Sequence, residues 1–366
     1  MTEPRPAAVV ILAAGEGTRM KSATPKVLHR IGGRSLLGHA IATARAVQPN
    51  YLAVVVRHRR EAVAAHIAEV DPGAIVADQD EVKGTGRATE CGLAQLPADL
   101  AGTVLVTYGD VPLLTGETLR DLFAQHLQTN SAVTVMTARR ADAGAYGRIV
   151  RDRDGSVAAI VEFKDATPDQ RAIQEYNSGI YAFDAATLRQ ALTEVGTDNA
   201  QQEKYLTDVV GLARAAGKRV SAYEVGDGWQ TEGVNDRVEL ARLGAVLRQR
   251  ENEKRMRGGV TIVDPDSTWI DVDVSIGQDT TILPGTALLG ASTIGAGATI
   301  GPDVTVSDSR IGAGATVRRS EVHLAEVGAD ATVGPYTHLR PGATLGPGGQ
   351  AGSFVEIGPS EGEHPA

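Results

Sequence analysis

Cysteine is almost missing from this chain of 366 residues: Cys91 stands alone. No internal disulfide can form, and a reducing compartment is expected. Aromatic residues make up only 4 %, so the core cannot rest mainly on large rings. Long apolar runs are lacking as well. The N-terminal run Ala7–Ala14 is too short to span a membrane, has no basic start and passes straight into a glycine-rich loop. It reads as a strand of a cytoplasmic protein with no membrane partner. Positive charge is in deficit, with 36 Lys and Arg against 45 Asp and Glu, a net charge of −9. No basic stretch is long enough to neutralise many phosphates, which argues against a general nucleic-acid binder. If the substrates are phosphates, a few local cations and a metal must hold them.

What is plentiful is glycine, at 42 residues, which suggests that part of the chain stacks small repeating units. The length suffices for two domains, each with its own core. Up to about Gly217, short β-branched runs (Val9–Leu12, Leu52–Val56, Val104–Tyr108, Val133–Thr137) alternate with helical patterns such as Leu36–Val47 and Glu61–Val70. That alternation predicts a mostly parallel sheet covered by helices. A helical stretch, Asp236–Arg257, begins amphipathic on Val238, Leu240, Leu243 and Leu247. It ends in a charged run capped by Gly258-Gly259, and reads as a solvated linker helix.

Beyond it the period changes. An aliphatic residue recurs at Ile270, Ile276, Ile282, Leu288, Ile294, Ile300 and Val306, every sixth position, and often precedes glycine. The steps turn irregular around Ile311, Val317 and Val327, then resume at Val333, Leu339, Leu345, Ala351 and Ile357. A period of six is neither helix nor hairpin; it is that of a β-helix, and the stretch supplies about five three-sided coils. The expected division is an α/β Rossmann-like domain over 1–235, a linker helix over 236–259, a short left-handed parallel β-helix over 260–358 and an irregular tail over 359–366.

The first strand empties into Leu12-Ala13-Ala14-Gly15-Glu16-Gly17-Thr18-Arg19-Met20, with Pro25-Lys26 following. Glycines let the backbone approach an anion, and successive N–H groups point at it. A dinucleotide fingerprint would need a third glycine at Met20, and a P-loop would need Gly-Lys-Ser/Thr; neither is present. Two cations, Arg19 and Lys26, are added instead, a composition suited to a triphosphate whose charge changes during reaction. Asp110 ends the apolar strand Val104–Val106, at the edge where open α/β sheets bind ligands, and is a natural hard-oxygen ligand for Mg²⁺.

The loop resembles the signature of the nucleotidyltransferase half of the bifunctional UDP-N-acetylglucosamine pyrophosphorylase/glucosamine-1-phosphate N-acetyltransferases. Further segments agree in order and spacing: Gln79, Gly84-Thr85-Gly86, Tyr108-Gly109-Asp110, Tyr146-Gly147-Arg148, Ile160-Val161-Glu162, Asn177-Ser178-Gly179, Tyr205-Leu206-Thr207 and Gly233-Val234-Asn235. The resemblance implies a trimeric enzyme that makes UDP-N-acetylglucosamine, a peptidoglycan precursor, from UTP and N-acetylglucosamine-1-phosphate with Mg²⁺. It implies Arg19 and Lys26 as catalytic, and Leu12, Ala13, Ala14, Gly15, Gln79, Gly84 and Thr85 around the nucleotide. Gly147, Glu162, Asn177, Tyr205, Thr207 and Asn235 would hold the sugar, with the metal on Asp110 and Asn235. Arg87 stands where the family often has His and should face the phosphate-rich end.

Arg340 matches a sugar-phosphate contact of the family's acetyltransferase half, but Gly358 replaces the lysine expected after Phe354-Val355-Glu356-Ile357. The family's acetyl-transfer base and oxyanion donors would lie past Ala366, so acetyl transfer is expected to be absent. Thymidylyl or adenylyl transfer, or retained acetyl transfer, are the competing readings.

Overall fold

A computed structural model of the chain describes residues 4–359, so most of the expected tail lies outside the described residues. The chain divides into two compact units. One takes the N-terminal part up to Leu243 apart from Arg30–Arg34, and the other takes those five residues together with the chain from Gly244.

The first unit begins with β1 (Ala8–Leu12) and the glycine loop; the small ribbon of β2 (Arg30–Ile31) and β3 (Arg34–Ser35) that comes next in the chain belongs to the second unit up to Arg34. Then follow α1 (Leu36–Ala46), β4 (Tyr51–Val56), α2 (Arg60–Val70), β5 (Ile75–Asp78), α3 (Thr85–Ala94), β6 (Thr103–Tyr108), α4 (Gly116–Gln128) and β7 (Val133–Arg139). The rest comprises β8 (Arg148–Arg151), β9 (Val157–Val161), α5 (Pro168–Arg171), β10 (Glu175–Asp184), α6 (Ala185–Glu194), α7 (Asp208–Ala215) and β11 (Val220–Glu224). The sheet runs β11-β7-β10-β6-β1-β4-β5. It is parallel except at β10, which is antiparallel to both neighbours, and at the β8–β9 pair.

Strand alternation explains why β1 is apolar at every position. Ala8, Val10 and Leu12 face one core, and Val9 and Ile11 face the other, so both faces are covered and no polar residue fits. Several helices start where a side chain caps them. Ser35 Oγ accepts from Gly38 N–H at 2.9 Å, Thr115 caps α4 and Asp184 caps α6.

Three parallel ladders of six, six and five short strands form the second unit, a left-handed parallel β-helix. Ile282, Leu288, Ile300, Val306, Val317 and Val333 are fully buried along its axis. The irregular steps have a simple cause: Val322 is also an inward residue, and the spacing drops from six to five at Val306 to Ile311, Val317 to Val322 and Val322 to Val327. At these tightened corners Asp308, Arg319 and Leu324 take left-handed backbone angles of +46°, +42° and +46°.

Helix α8 (Arg237–Arg257) departs from the expected solvated linker. Its charged half packs on the first coils: Arg248 lies over the Trp269 ring at 4.4 Å, and Arg255 donates to the Asp271 and Val274 carbonyls. Asn252 is fully buried and donates to the carbonyls of Pro265 and Thr268. Of the expected apolar stripe, Leu243 and Leu247 are buried while Val238 is 76 % exposed.

Candidate active site

The strand ends of β1, β4, β5 and β6 open on a cleft of ≈ 410 Å³. Leu12, Ala13, Ala14, Gly15, Lys26, Gln79, Gly84, Thr85 and Asp110 all line it, although they come from four separate stretches of chain. Ala13 N–H donates to Val55 and Gly109 N–H to Leu12, so the loops continue the sheet before they diverge.

Gly17 has φ +65°, and a Cβ there would lie 2.5 Å from Lys26 Cβ. The absent side chain therefore lets the Lys26 stem lie against the loop. Its ammonium pairs with the Asp110 carboxylate. Arg19 is not part of the cleft lining; its Nη2 donates to Asn235 Oδ1 at 2.9 Å. Asn235 arrives from far along the chain because Val234 N–H donates to the Asp110 carbonyl at 2.9 Å, and Arg237 Nε reaches the Met20 carbonyl.

At the other end of the cleft Gln79 Nε2 is held by the carbonyls of Val82 at 2.9 Å and Gly84 at 3.3 Å. Gly84, at φ +114°, passes so close to Lys204 that a Cβ would meet its carbonyl at 2.2 Å. Thr85 Oγ1 accepts from Leu206 N–H, and Gly86 N–H donates to Lys204. These bonds tie the Gly84-Thr85-Gly86 turn to the segment carrying Tyr205 and Thr207.

That segment belongs to a second group. Thr207 Oγ1 donates to Glu162 at 3.3 Å, Glu162 Oε2 lies beside Gly147, and Asn177 N–H donates to the Gly147 carbonyl at 2.9 Å. The Tyr205 hydroxyl accepts from Gln201 at 2.8 Å. Burial holds the Glu162 carboxyl above its usual range, reinforced by Asp165, Asp208 and Glu203 and opposed by the Thr207 hydrogen bond. Burial likewise raises the Asp208 carboxyl and the Tyr205 phenol. Cations thus gather along the glycine loop and strand ends, and carboxylates around Glu162. The arrangement suits phosphate at one end and neutral hydroxyls at the other.

One expectation fails. Arg87 does not face the cleft: its guanidinium is spanned between Asp80, at 2.5 Å, and Glu90, at 3.0 Å. Two carboxylates on its own surface outcompete an anion farther away. Other lining residues lie outside the motifs, namely Arg57, His58 and Lys83. Arg57 and His58 follow directly on β4, and the rule that ligands gather at strand C-termini would have flagged them. The Tyr108 ring covers Gly179, where a Cβ would lie 2.4 Å from it, and burial raises its phenol pKa.

Among the described residues no three His, Cys, Asp or Glu side chains converge as a metal cage. A carboxylate and an amide oxygen, Asp110 and Asn235, do lie on hydrogen-bonded neighbouring segments. Two hard oxygens fit a cation that keeps most of its own water, as Mg²⁺ does.

The model of the MobA-like NTP transferase domain matches residues 9–200. The bifunctional protein GlmU of Pseudarthrobacter chlorophenolicus is 57 % identical over 353 residues, covering 96 % of this chain and 72 % of that protein. The bifunctional proteins GlmU of Micrococcus luteus and Mycolicibacterium vanbaalenii are each 54 % identical, over 97 % and 96 % of this chain and 75 % and 72 % of theirs. A crystal structure of UDP-glucose pyrophosphorylase complexed with UDP-glucose superposes with a TM-score of 0.52 at 16 % identity, covering 67 % of this chain and 99 % of that one; at that identity it shows the shared fold.

Proposed function

The chain belongs to the GlmU family and is a nucleotidyltransferase, and from that premise we propose that it makes UDP-N-acetylglucosamine and pyrophosphate from UTP and N-acetylglucosamine-1-phosphate. The observation that carries the reading is the pairing of Lys26 with Asp110 at one end of the cleft, with the Arg19–Asn235 pair on the segment bonded to Asp110, and the presence of Gln79 and Thr85 at the other end.

With its amide nitrogen held by two carbonyls, Gln79 keeps Oε1 for a donor such as the uracil N3–H. Cytosine presents an acceptor there. Ala13, Ala14 and Gly15 bring backbone to the base and phosphates. The hydroxyls and acetamido group of the sugar fall to Gly147, Glu162, Asn177, Tyr205 and Thr207, where the Glu162 carboxylate can accept from sugar hydroxyls.

The attacking group is a phosphate oxygen with a second pKa of about 6, ionised at neutral pH, so no general base is needed. The reaction then depends on holding the attacking oxygen in line and stabilising charge. Lys26, fixed by Asp110 on one side, has N–H groups left for oxygens of the α-phosphate. Arg19 donates one N–H to Asn235 and keeps others for the departing pyrophosphate. Asp110 and Asn235 would hold Mg²⁺, which supplies charge neutralisation between the two phosphates.

For the second reaction of a bifunctional relative, Arg340 is exposed and paired with Glu356 at 3.0 Å, and Gly358 offers no side chain. We read residues 1–366 as carrying no acetyl transfer. The lone Cys91 accords with a cytoplasmic place, and the flat β-helix faces with a homotrimer.

Pyrophosphate release across a panel of nucleoside triphosphates and sugar-1-phosphates, with Mg²⁺, tests the proposal. UTP with N-acetylglucosamine-1-phosphate should exceed every other pair. Equal turnover of dTTP with glucose-1-phosphate would reassign the substrates. Acetyl-CoA with glucosamine-1-phosphate should release no CoA above background.

A further inference from the structure

Three segments of the site meet on Arg140, a residue no motif singles out. Its guanidinium lies 5.1 Å from the centroid of the Tyr146 ring and 5.1 Å from that of Tyr176. The two rings are 4.9 Å apart. Its Nη1 donates to the Glu232 carboxylate, whose side chain is only 12 % exposed. Each partner neighbours a site residue in the chain: Tyr146 precedes Gly147, Tyr176 precedes Asn177, and Glu232 leads through Gly233-Val234 to Asn235. The cluster is bonded to the last of these segments throughout. The Tyr146 hydroxyl takes a hydrogen bond from the Gly233 backbone, and the Tyr176 hydroxyl meets Thr231 Oγ1 at 2.8 Å. The next residue, Val234, is the one bonded to the Asp110 carbonyl.

We propose that Arg140 and Glu232 are positioning residues that hold the 231–235 segment on two aromatic faces, keep Asn235 opposite Asp110, and so set the affinity of the site for its divalent cation. Neither lines the cleft. A planar guanidinium can cover two rings while it pairs with a carboxylate, which an ammonium cannot do. The half-dry setting makes the contact stronger than an exposed ion pair. Partners one shell out from a metal ligand commonly tune affinity by about 10–100-fold. The inference rests on the reading of Asp110 and Asn235 as the metal site.

Two measurements test it on Arg140→Ala and Glu232→Gln, the second of which keeps the side-chain shape. The Mg²⁺ concentration giving half-maximal pyrophosphate release should rise about tenfold, while kcat at saturating Mg²⁺ stays within about threefold of the parent. Hydrogen exchange at the Gly233 and Val234 amides, followed without any substrate, should quicken in both. Arg140→Lys should recover only part of the Mg²⁺ affinity. Arg242→Ala, which removes a more exposed partner 3.3 Å from the same carboxylate, should behave as the parent. Unchanged Mg²⁺ dependence, a fall in kcat alone, or unchanged amide exchange would each overturn the assignment. A parent protein that released no pyrophosphate from any pair would instead remove the transfer reading, and the exchange measurement would still decide whether the clamp exists.

Discussion

Lys26 and Gly17 act as one unit at the scale of single residues. The lysine is placed by its pair with Asp110 and by the empty space over Gly17. Lys26→Ala should lower kcat by roughly 10²-fold or more, the cost of losing one preorganised donor to developing charge. Gly17→Ala should lower kcat as well, because the added Cβ both strains a left-handed backbone and displaces the Lys26 stem. Steady-state kinetics checks both, and a Gly17→Ala protein with parental kcat would show that the lysine is placed otherwise. Glu162 offers a test through pH. Its folded pKa is raised by burial, so the native state binds the proton more tightly than the unfolded chain does. Stability is then lost as pH rises from the unfolded carboxyl value, about 4.3, through the folded one. Glu162→Gln should therefore gain in Tm over the parent at pH 8 but not at pH 4. Equal differences at both pH values would mean that burial does not raise the folded pKa of this carboxyl.

At the scale of elements, β10 is the strand whose direction the alternation of strands and helices does not reveal. It is antiparallel to β6 and β7, and its register shifts between Asn177 and Tyr181. That irregularity, with Gly179 at φ +80° beneath Tyr108, turns Asn177 toward the Gly147 strand end. In the β-helix, each coil beyond the first ones rests on its neighbouring coils, so damage should stay local. Ile300 is fully buried with parallel partners Ile282 and Val317 on either side. Ile300→Ala should cost about 2–5 kcal/mol of stability in that unit. Denaturant unfolding with hydrogen exchange should find the loss in the coils around residue 300. The nucleotide cleft, whose residues all belong to the first unit, should keep its activity.

For the whole molecule, the β-helix faces carry exposed rings that a monomer leaves in water. Tyr336 and Phe354 stack at 5.2 Å with 56 % and 83 % exposure, both in left-handed backbone conformations. Large apolar groups held at such angles favour an interface over solvent. Light scattering at micromolar concentration should give three times the 38.2 kDa chain mass, and a monomer mass would exclude the trimer. Among the described residues no helix is long and apolar enough to cross a membrane.

Much of this was legible in the residues because it follows from local periods. The six-residue recurrence determines the β-helix, and the alternation of β-branched and helical runs determines the layered sheet. The glycine loop with Arg19 and Lys26 is where the sequence points to an anion. Periodicity was silent where the outcome depends on competition among distant groups. Arg87 looked like a cation for phosphate, and only the folded chain brings Asp80 and Glu90 onto it. Arg248 to Arg257 looked solvated, and only the stacked coils provide Trp269 and the open carbonyls that draw it in. The clamp of Arg140, Tyr146, Tyr176 and Glu232 joins residues up to 92 positions apart, a separation no pattern within one segment can encode. Local sequence determined which elements form and where backbone approaches an anion. Tertiary structure decided which charges meet, because an ion pair depends on the distance between its partners in space and on the water their burial removes.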